Sequence, residues 1–362
     1  MKHSITIISI LILFTGCLKD DNLKTKDITY IPVKMDDGWE INTETSQIFD
    51  MNIFNEVMNL VYSNDDFVLL RSLVIAKNGQ LVAEVYPRTE ADRTTPRQLW
   101  STTKSFVSII TGISYDKGFI HSVSDLVFNY IPEYLQYAYP QLQPLTIEQC
   151  LTMRSGIDYD NDGMEEEELL AMVPNDLTKY ILQRPMKNLP GEVAYYKNSD
   201  PQLMVKVIAN ATKTDLVEFA EQNFFEPLGI TNYHWSRNKD NTPYGGFGLF
   251  LTPRDLAKTG QMLLDNGIWK NKRVLSEEWI KEATTSKTKI NGYNYGYYFW
   301  IDQTKNYFFA WGRSGQYFFV VPDKDLVVTI TTEQFAENDL GTSIEQATYL
   351  VDRIIESLKM DE

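Results

Sequence analysis

The sequence predicts an α+β fold: an antiparallel sheet built from the N- and C-terminal segments and flanked by helices, with a mostly helical lobe inserted at about residues 122–290. Three observations carry this expectation. Two strand-like runs flank Asn78-Gly79 early in the chain, four more follow Tyr293, and most of what lies between reads as helix interrupted by loops. With 362 residues, 43% apolar and 23% charged, the chain is long enough to bury a large core and is ordinary for a globular protein.

Met1-Lys2-His3 and the apolar run from Ile5 to Phe14 have the charged start and short apolar core of a bacterial secretory signal. The run is too short to span a bilayer comfortably. It ends in Phe14-Thr15-Gly16-Cys17, which resembles the lipobox of bacterial lipoproteins. Residues 1–16 are therefore expected to be removed, with Cys17 lipidated as the anchor of an exported outer-membrane lipoprotein. The Leu18-Lys19-Asp20-Asp21 stretch resembles a short acidic export tag, and 17–40 reads as a tether leading into a domain over 41–362. With Cys17 lipidated, Cys150 has no disulfide partner in the chain.

Within the domain, Leu73–Ala76 and Leu81–Tyr86 around Asn78-Gly79 predict a hairpin, because that dipeptide accepts the left-handed conformations a two-residue turn requires. A buried helix is predicted from Ser101, with Phe106, Val107, Ile109, Ile110 and Ile113 apolar on several faces and Gly118 as its stop. Helical spacing follows at Ile147–Met153, Glu166–Ala171, Leu177–Leu182, Gln202–Ala211 and Leu216–Asn223. Thr252-Pro253-Arg254-Asp255 opens another helix, with proline in the first turn. Strand character returns at Gly296–Ile301, Tyr307–Trp311, Gln316–Val321 and Leu326–Thr332, and Ser343–Leu358 is an amphipathic helix able to cover a sheet.

Chemistry centres on Ser101-Thr102-Thr103-Lys104. A serine hydroxyl is a weak nucleophile until a base stands beside it, and residues three apart on a helix share a face. Lys104 can be that base, and the free amides of the helix N-terminus at Ser101 favour negative charge on a reacting carbonyl oxygen. The chain has three histidines, one of them in the expected signal, which disfavours both a Ser-His-Asp triad and a histidine metal site. A net charge of −15 with no basic patch disfavours nucleic acid as a partner.

Three segments recur in a known order. Ser101-Thr102-Thr103-Lys104, Tyr196-Lys197-Asn198 and Arg313-Ser314-Gly315 resemble the Ser-x-x-Lys, Tyr-x-Asn and Lys-Thr-Gly motifs of class C β-lactamases and their penicillin-binding and esterase relatives. Pro190-Gly191, Pro227-Leu228-Gly229 and Gly248 to Ala257 look like further landmarks, so the resemblance spans roughly residues 65 to 355. It implies a β-lactamase/transpeptidase-like fold and acyl transfer through an ester on Ser101. Lys104 is then the implied base, Tyr196 its partner, and Asn198 a ligand for the substrate amide or for Lys104, the alternative being an Asn that caps a helix at Gln202. The implied oxyanion hole is the amides of Ser101 and Gln316, each such donor contributing about 3 kcal/mol. Arg313, Ser314 and Gly315 are implied to bind substrate. Arg313 stands where lysine is usual and Ser314 where threonine is, so a cation and a hydroxyl are kept with altered reach. A planar guanidinium suits a substrate carboxylate, but relatives with other residues here include esterases, amidases and peptidases.

The functional expectation is an exported serine hydrolase acting on a small ester, amide or peptide, with no cofactor and no metal. The alternatives are a non-catalytic lipoprotein that binds a peptide or cell-wall fragment, and a true penicillin-binding protein or β-lactamase. Asp158 to Gly163 begins like a calcium loop but has Leu169 where a bidentate glutamate belongs. His234 and Cys150 read as structural, and Trp100, Tyr195 and Trp311 as candidate walls of a pocket.

Overall fold

Asn78 and Gly79, with φ of +52° and +75°, turn the chain between β2 (Leu70–Lys77) and β3 (Gln80–Val85), as their residue types require. The computed structural model describes residues 27–63, 65–158, 166–173, 175–333 and 341–359. The expected signal, the expected lipidation site at Cys17 and the Tyr159–Gly163 part of the calcium-like loop lie outside those residues. β1 (Glu40–Ile41), β2 and β3 share one sheet with β4 (Thr288–Ile290), β5 (Tyr293–Tyr295), β6 (Trp300–Asp302), β7 (Tyr307–Gly312), β8 (Gln316–Val321) and β9 (Leu326–Thr332). Its order is β1-β3-β2-β9-β8-β7-β6-β5-β4, so the two ends of the chain meet where β2 pairs with β9. All the pairs are antiparallel except β1 with β3.

The helices that matter for the site are α1 (Met51–Tyr62), α2 (Thr103–Asp116), α3 (Ile147–Leu151), α4 (Ser199–Thr212), α5 (Pro253–Leu264), α6 (Glu277–Ala283) and α7 (Ile344–Ser357). α7 packs on α1, and α2 runs against α4. Thr252 caps α5 by accepting from the Asp255 amide, as its sequence predicts. Although α5 falls inside the span expected for the helical lobe, it packs on the sheet itself, against β9, β8 and β2. Gly260 permits this, since a Cβ there would stand 2.6 Å from Val327. α2 is buried on every side. Phe106 meets Phe318 of β8 edge-on, and Gly112 leaves room for Trp279 of α6.

Two expectations need correction. The strand predicted at Gly296–Ile301 is instead a tight turn between β5 and β6, with only Trp300 and Ile301 in a strand: Tyr298 has φ +62°, and a Cβ on Gly296 would fall 2.1 Å from the Ala283 carbonyl. Unbroken aromatic alternation concealed that turn. The expected tether is docked over its described part. The Tyr30 carbonyl accepts from the Glu84 amide at 2.9 Å, Val33 N–H donates to Glu84 Oε1 at 2.8 Å, and Trp39 is buried edge-on against Trp269.

The latch is electrostatic. Glu84 is buried in β3, and Arg254 grips both its oxygens at 2.8 Å while also reaching Asp37 at 2.8 Å. Burial pushes the Glu84 carboxyl up, but hydrogen bonds and charge from Arg254, the Val33 amide and Arg93 outweigh it and hold it below the usual range. A carboxyl held low contributes stability above its unfolded pKa, and that contribution is lost as pH falls through the folded value. Urea unfolding between about pH 5 and pH 3 should therefore lose stability faster in the wild type than in Glu84→Gln. Arg254→Met, which removes the two-point grip on the buried acid and leaves it Arg93, Tyr86 and the Val33 amide, should cost about 3 kcal/mol at neutral pH. Equal pH slopes for wild type and Glu84→Gln would show that the latch carries no charge linkage.

Candidate active site

The segment before Lys104 is bent into a form a plain helix start would not give. Trp100 is left-handed at φ +47°, and Trp100–Thr102 is a 3₁₀ turn that leads into α2. Such strain persists only where surrounding contacts hold it. Leu99 N–H donates to the Leu249 carbonyl at 2.7 Å, Thr102 Oγ1 to the Gln316 carbonyl at 2.8 Å, and Leu249 N–H to Thr103 Oγ1 at 3.2 Å. On the β7 side, Gly312 lies so near that a Cβ would stand 2.1 Å from the Leu99 carbonyl. The turn is thereby fixed between β8 and the Leu249–Leu251 strand, with Ser101 facing a cavity.

Lys104, one turn into α2, is 1% exposed. Its Nζ lies 2.8 Å from Ser101 Oγ, 2.8 Å from the Gly246 carbonyl and in hydrogen-bond contact with Asn198 Oδ1; the Tyr196 ring centroid is 4.8 Å away. Gly246 is glycine because a Cβ would collide with Asn198 Oδ1 at 2.3 Å. Asn198 occupies the N-cap position of α4 but makes no side-chain cap, so the capping alternative gives way to the contact with Lys104. Tyr196 is wedged between Trp300 at 5.4 Å and Tyr295 at 6.3 Å.

Beneath this motif Lys197 and Asp200 form an ion pair at 3.4 Å with side chains 2% and 0% exposed. Asp200 also accepts from the Ser155 hydroxyl and, at 3.2 Å, from the Ser155 amide; Lys197 donates to the Ile157 carbonyl at 3.1 Å. Burial raises the Asp200 carboxyl against the opposing pull of Lys197 and Ser155.

Arg313, Ser314 and Gly315 form the loop between β7 and β8, with Ser314 and Gly315 left-handed at φ +59° and +93°. The Arg313 guanidinium lies 5.2 Å over the Trp100 ring, so this cation packs on the nucleophile turn as well as facing the cavity. The cavity, about 580 Å³, is lined by Ser101, Tyr196, Lys197, Asn198, Arg313, Ser314 and Gly315, with Trp300, Trp311 and Tyr317 among its walls and Asn291 and Glu345 also bordering it. Lys104 stands behind Ser101, and Gln316 follows as the first residue of β8.

The model of the Beta-lactamase family matches residues 71–352. The chain belongs to the Beta-lactamase family, as the motifs suggested. This Beta-lactamase-family chain is 25% identical over 187 residues to Protein flp of Staphylococcus aureus strain MRSA252, a match that covers 50% of this chain and 37% of that protein. It therefore spans well under half the length of that relative. Among solved structures it resembles a class C β-lactamase (TM-score 0.65, 15% identity, 90% of this chain and 100% of the other). It also resembles D-alanine carboxypeptidase AmpC from Burkholderia cenocepacia (0.65, 16%, 85% and 99%) and the hydrolase EstCE1 (0.67, 15%, 84% and 98%).

The fold brings together every residue the motifs named. Sequence reasoning missed Gly246, Ser155, Asp200 and the structural part of Lys197; the last two stand three apart in Tyr196-Lys197-Asn198-Ser199-Asp200, which was the available signal. Tyr195, expected as a possible wall, is 57% exposed and does not border the cavity. His234 lies on a short strand beside Phe250, and Cys150 is fully buried, where desolvation pushes its thiol up.

Proposed function

We propose that this protein is an exported serine hydrolase that cleaves a small ester or amide through an acyl-enzyme on Ser101, anchored by lipid at Cys17. The observation that carries the hydrolytic part is the Lys104 amine: it is buried, 2.8 Å from Ser101 Oγ, and held from behind by Asn198 Oδ1 and the Gly246 carbonyl. In its neutral form the amine gives its two N–H groups to those acceptors and turns its lone pair to the serine hydroxyl. Ser101 Oγ then attacks the substrate carbonyl while its proton passes to Lys104 Nζ, with Tyr196 close by to exchange it. Collapse of the tetrahedral intermediate expels the leaving group with that proton. Water then attacks the ester carbonyl, releases the acid and returns a proton to Ser101. The Ser101 and Gln316 amides are the proposed oxyanion donors, supported by the Thr102 bond that holds the Gln316 peptide beside Ser101.

Family membership also covers penicillin-binding proteins and β-lactamases. The Arg313 loop keeps the cation that a carboxylate-bearing substrate needs, yet lays it on Trp100. A broad ester or amide substrate range fits that arrangement better than a dedicated lactam site. Purified protein should react covalently with a fluorophosphonate probe at Ser101 and hydrolyse short-chain p-nitrophenyl esters. A folded protein that never labels would leave the binding-lipoprotein reading in its place, and a fluorescent penicillin adduct that persists would favour a penicillin-binding protein.

A further inference from the structure

We propose that Lys197 and Asp200, completed by Ser155, form a buried bracket that sets where Tyr196 and Asn198 stand relative to Lys104. They are positioning residues and touch no reacting atom, and the inference rests on the hydrolase reading above. The pair lies within the motif itself: Lys197 separates Tyr196 from Asn198, and Asp200 is in the first turn of α4, directly after them.

Both members are tied to one loop. Asp200 takes both donors of Ser155, and Lys197 donates to the Ile157 carbonyl at 3.1 Å. The same loop reaches the motif from its other end, since Tyr195 N–H donates to the Met153 carbonyl at 2.9 Å. Met153 is left-handed at φ +60°, and Gly156, at φ +77°, is so close to the chain that a Cβ would stand 2.2 Å from the Asn188 carbonyl. The Tyr196 peptide is therefore held on one side by backbone and on the other by the ion pair.

An ion pair buried this deeply is an expensive way to fill space, because desolvation offsets much of its attraction. Its distinctive effect is directional. A carboxylate with a serine hydroxyl, a serine amide and an ammonium around it has one orientation, and so does the lysine that also meets a carbonyl. The buried Cys150 of α3, Tyr295 of β5 and Tyr298 after it are near enough to be raised by the charge of the acid, and none of them is a cation. Across the motif, Asn198 Oδ1 touches Lys104 and the Tyr196 ring lies under it, so a shift of the bracket is transmitted to the base.

The test is the reaction of the full mature chain with a fluorophosphonate, resolved into a maximal labelling rate and a half-saturating concentration, alongside urea unfolding. Asp200→Asn and Lys197→Met should each lower the maximal rate about 30-fold while the half-saturating concentration stays within about twofold, as expected for a displacement smaller than the ~1 Å that costs about 100-fold. The double variant Lys197→Met/Asp200→Asn should be about as slow as either single variant, because one unit has been removed. Ser155→Ala keeps the ion pair and should cost about fivefold, so it carries the test if the charge variants fail to fold. Variants that lose stability yet label at the wild-type rate per folded molecule would overturn the proposal and leave the hydrolase reading standing. A wild type that does not label overturns both, and does so before any variant is compared.

Discussion

Ser101→Ala is expected to abolish fluorophosphonate labelling and to lower esterase turnover by at least about 1000-fold, while its unfolding midpoint stays at the wild-type value. The hydroxyl is small, and Lys104 keeps Asn198 and Gly246 as partners once it is gone, so the fold has little reason to respond. Lys104→Met differs in kind. Methionine nearly conserves the volume of a side chain that is 1% exposed, but it removes the amine that meets Ser101 Oγ, Asn198 Oδ1 and the Gly246 carbonyl. Loss of a positioned base costs about 100- to 10,000-fold, and buried acceptors left without a donor cost about 1–3 kcal/mol each. The expected result is a protein that is both slow to label and less stable. Tyr196→Phe separates the two proton-handling groups. It keeps the ring packed on Trp300 and removes only the hydroxyl, so stability should hold while the rate falls. If Lys104→Met labels at the wild-type rate and Tyr196→Phe does not, the phenol is the base and the lysine only its counter-charge.

The parts of this molecule that the sequence disclosed are those written in local patterns. Asn78-Gly79 announced the hairpin, Thr252-Pro253 the start of α5, and the three short motifs the residues of the cavity. Each depends on neighbours within a few positions. What stayed hidden depends on contacts made across the fold. Trp100 is left-handed because β8 and the Leu249 strand hold the turn, and nothing in a Leu-Trp-Ser-Thr sequence requires it. Tyr30 to Glu40 has few periodic apolar residues, so it resembled a tether. Its docking rests on Arg254, more than 200 positions away, and on the buried Glu84 that otherwise reads as the polar face of a strand. Gly246 carried no signal either, because its role is to leave space for Asn198.

Gly312 is where such hidden geometry should matter most. A Cβ there would stand 2.1 Å from the Leu99 carbonyl and 3.1 Å from Thr102 Oγ1, the two residues that flank Trp100-Ser101. β7 cannot retreat easily, since Gly312 is paired with Gln316 at the end of the β7–β8 ladder. The Leu99 carbonyl in turn accepts from the Thr102 amide at 3.1 Å, which closes the turn that carries the nucleophile. The strain of Gly312→Ala must therefore appear as a displacement of Ser101 relative to the Gln316 peptide. A shift of about 1 Å in a reacting group costs about 100-fold in rate, and overpacking costs about 1–3 kcal/mol in stability. Gly79→Ala is the control. Its φ is +75° and a Cβ there meets nothing within 4 Å, so it should lose about 1 kcal/mol through backbone strain and label at the wild-type rate. Gly312→Ala with wild-type labelling would mean that β7 does not set the turn, and that the Thr102 bond to Gln316 and the bonds to Leu249 hold Ser101 in place.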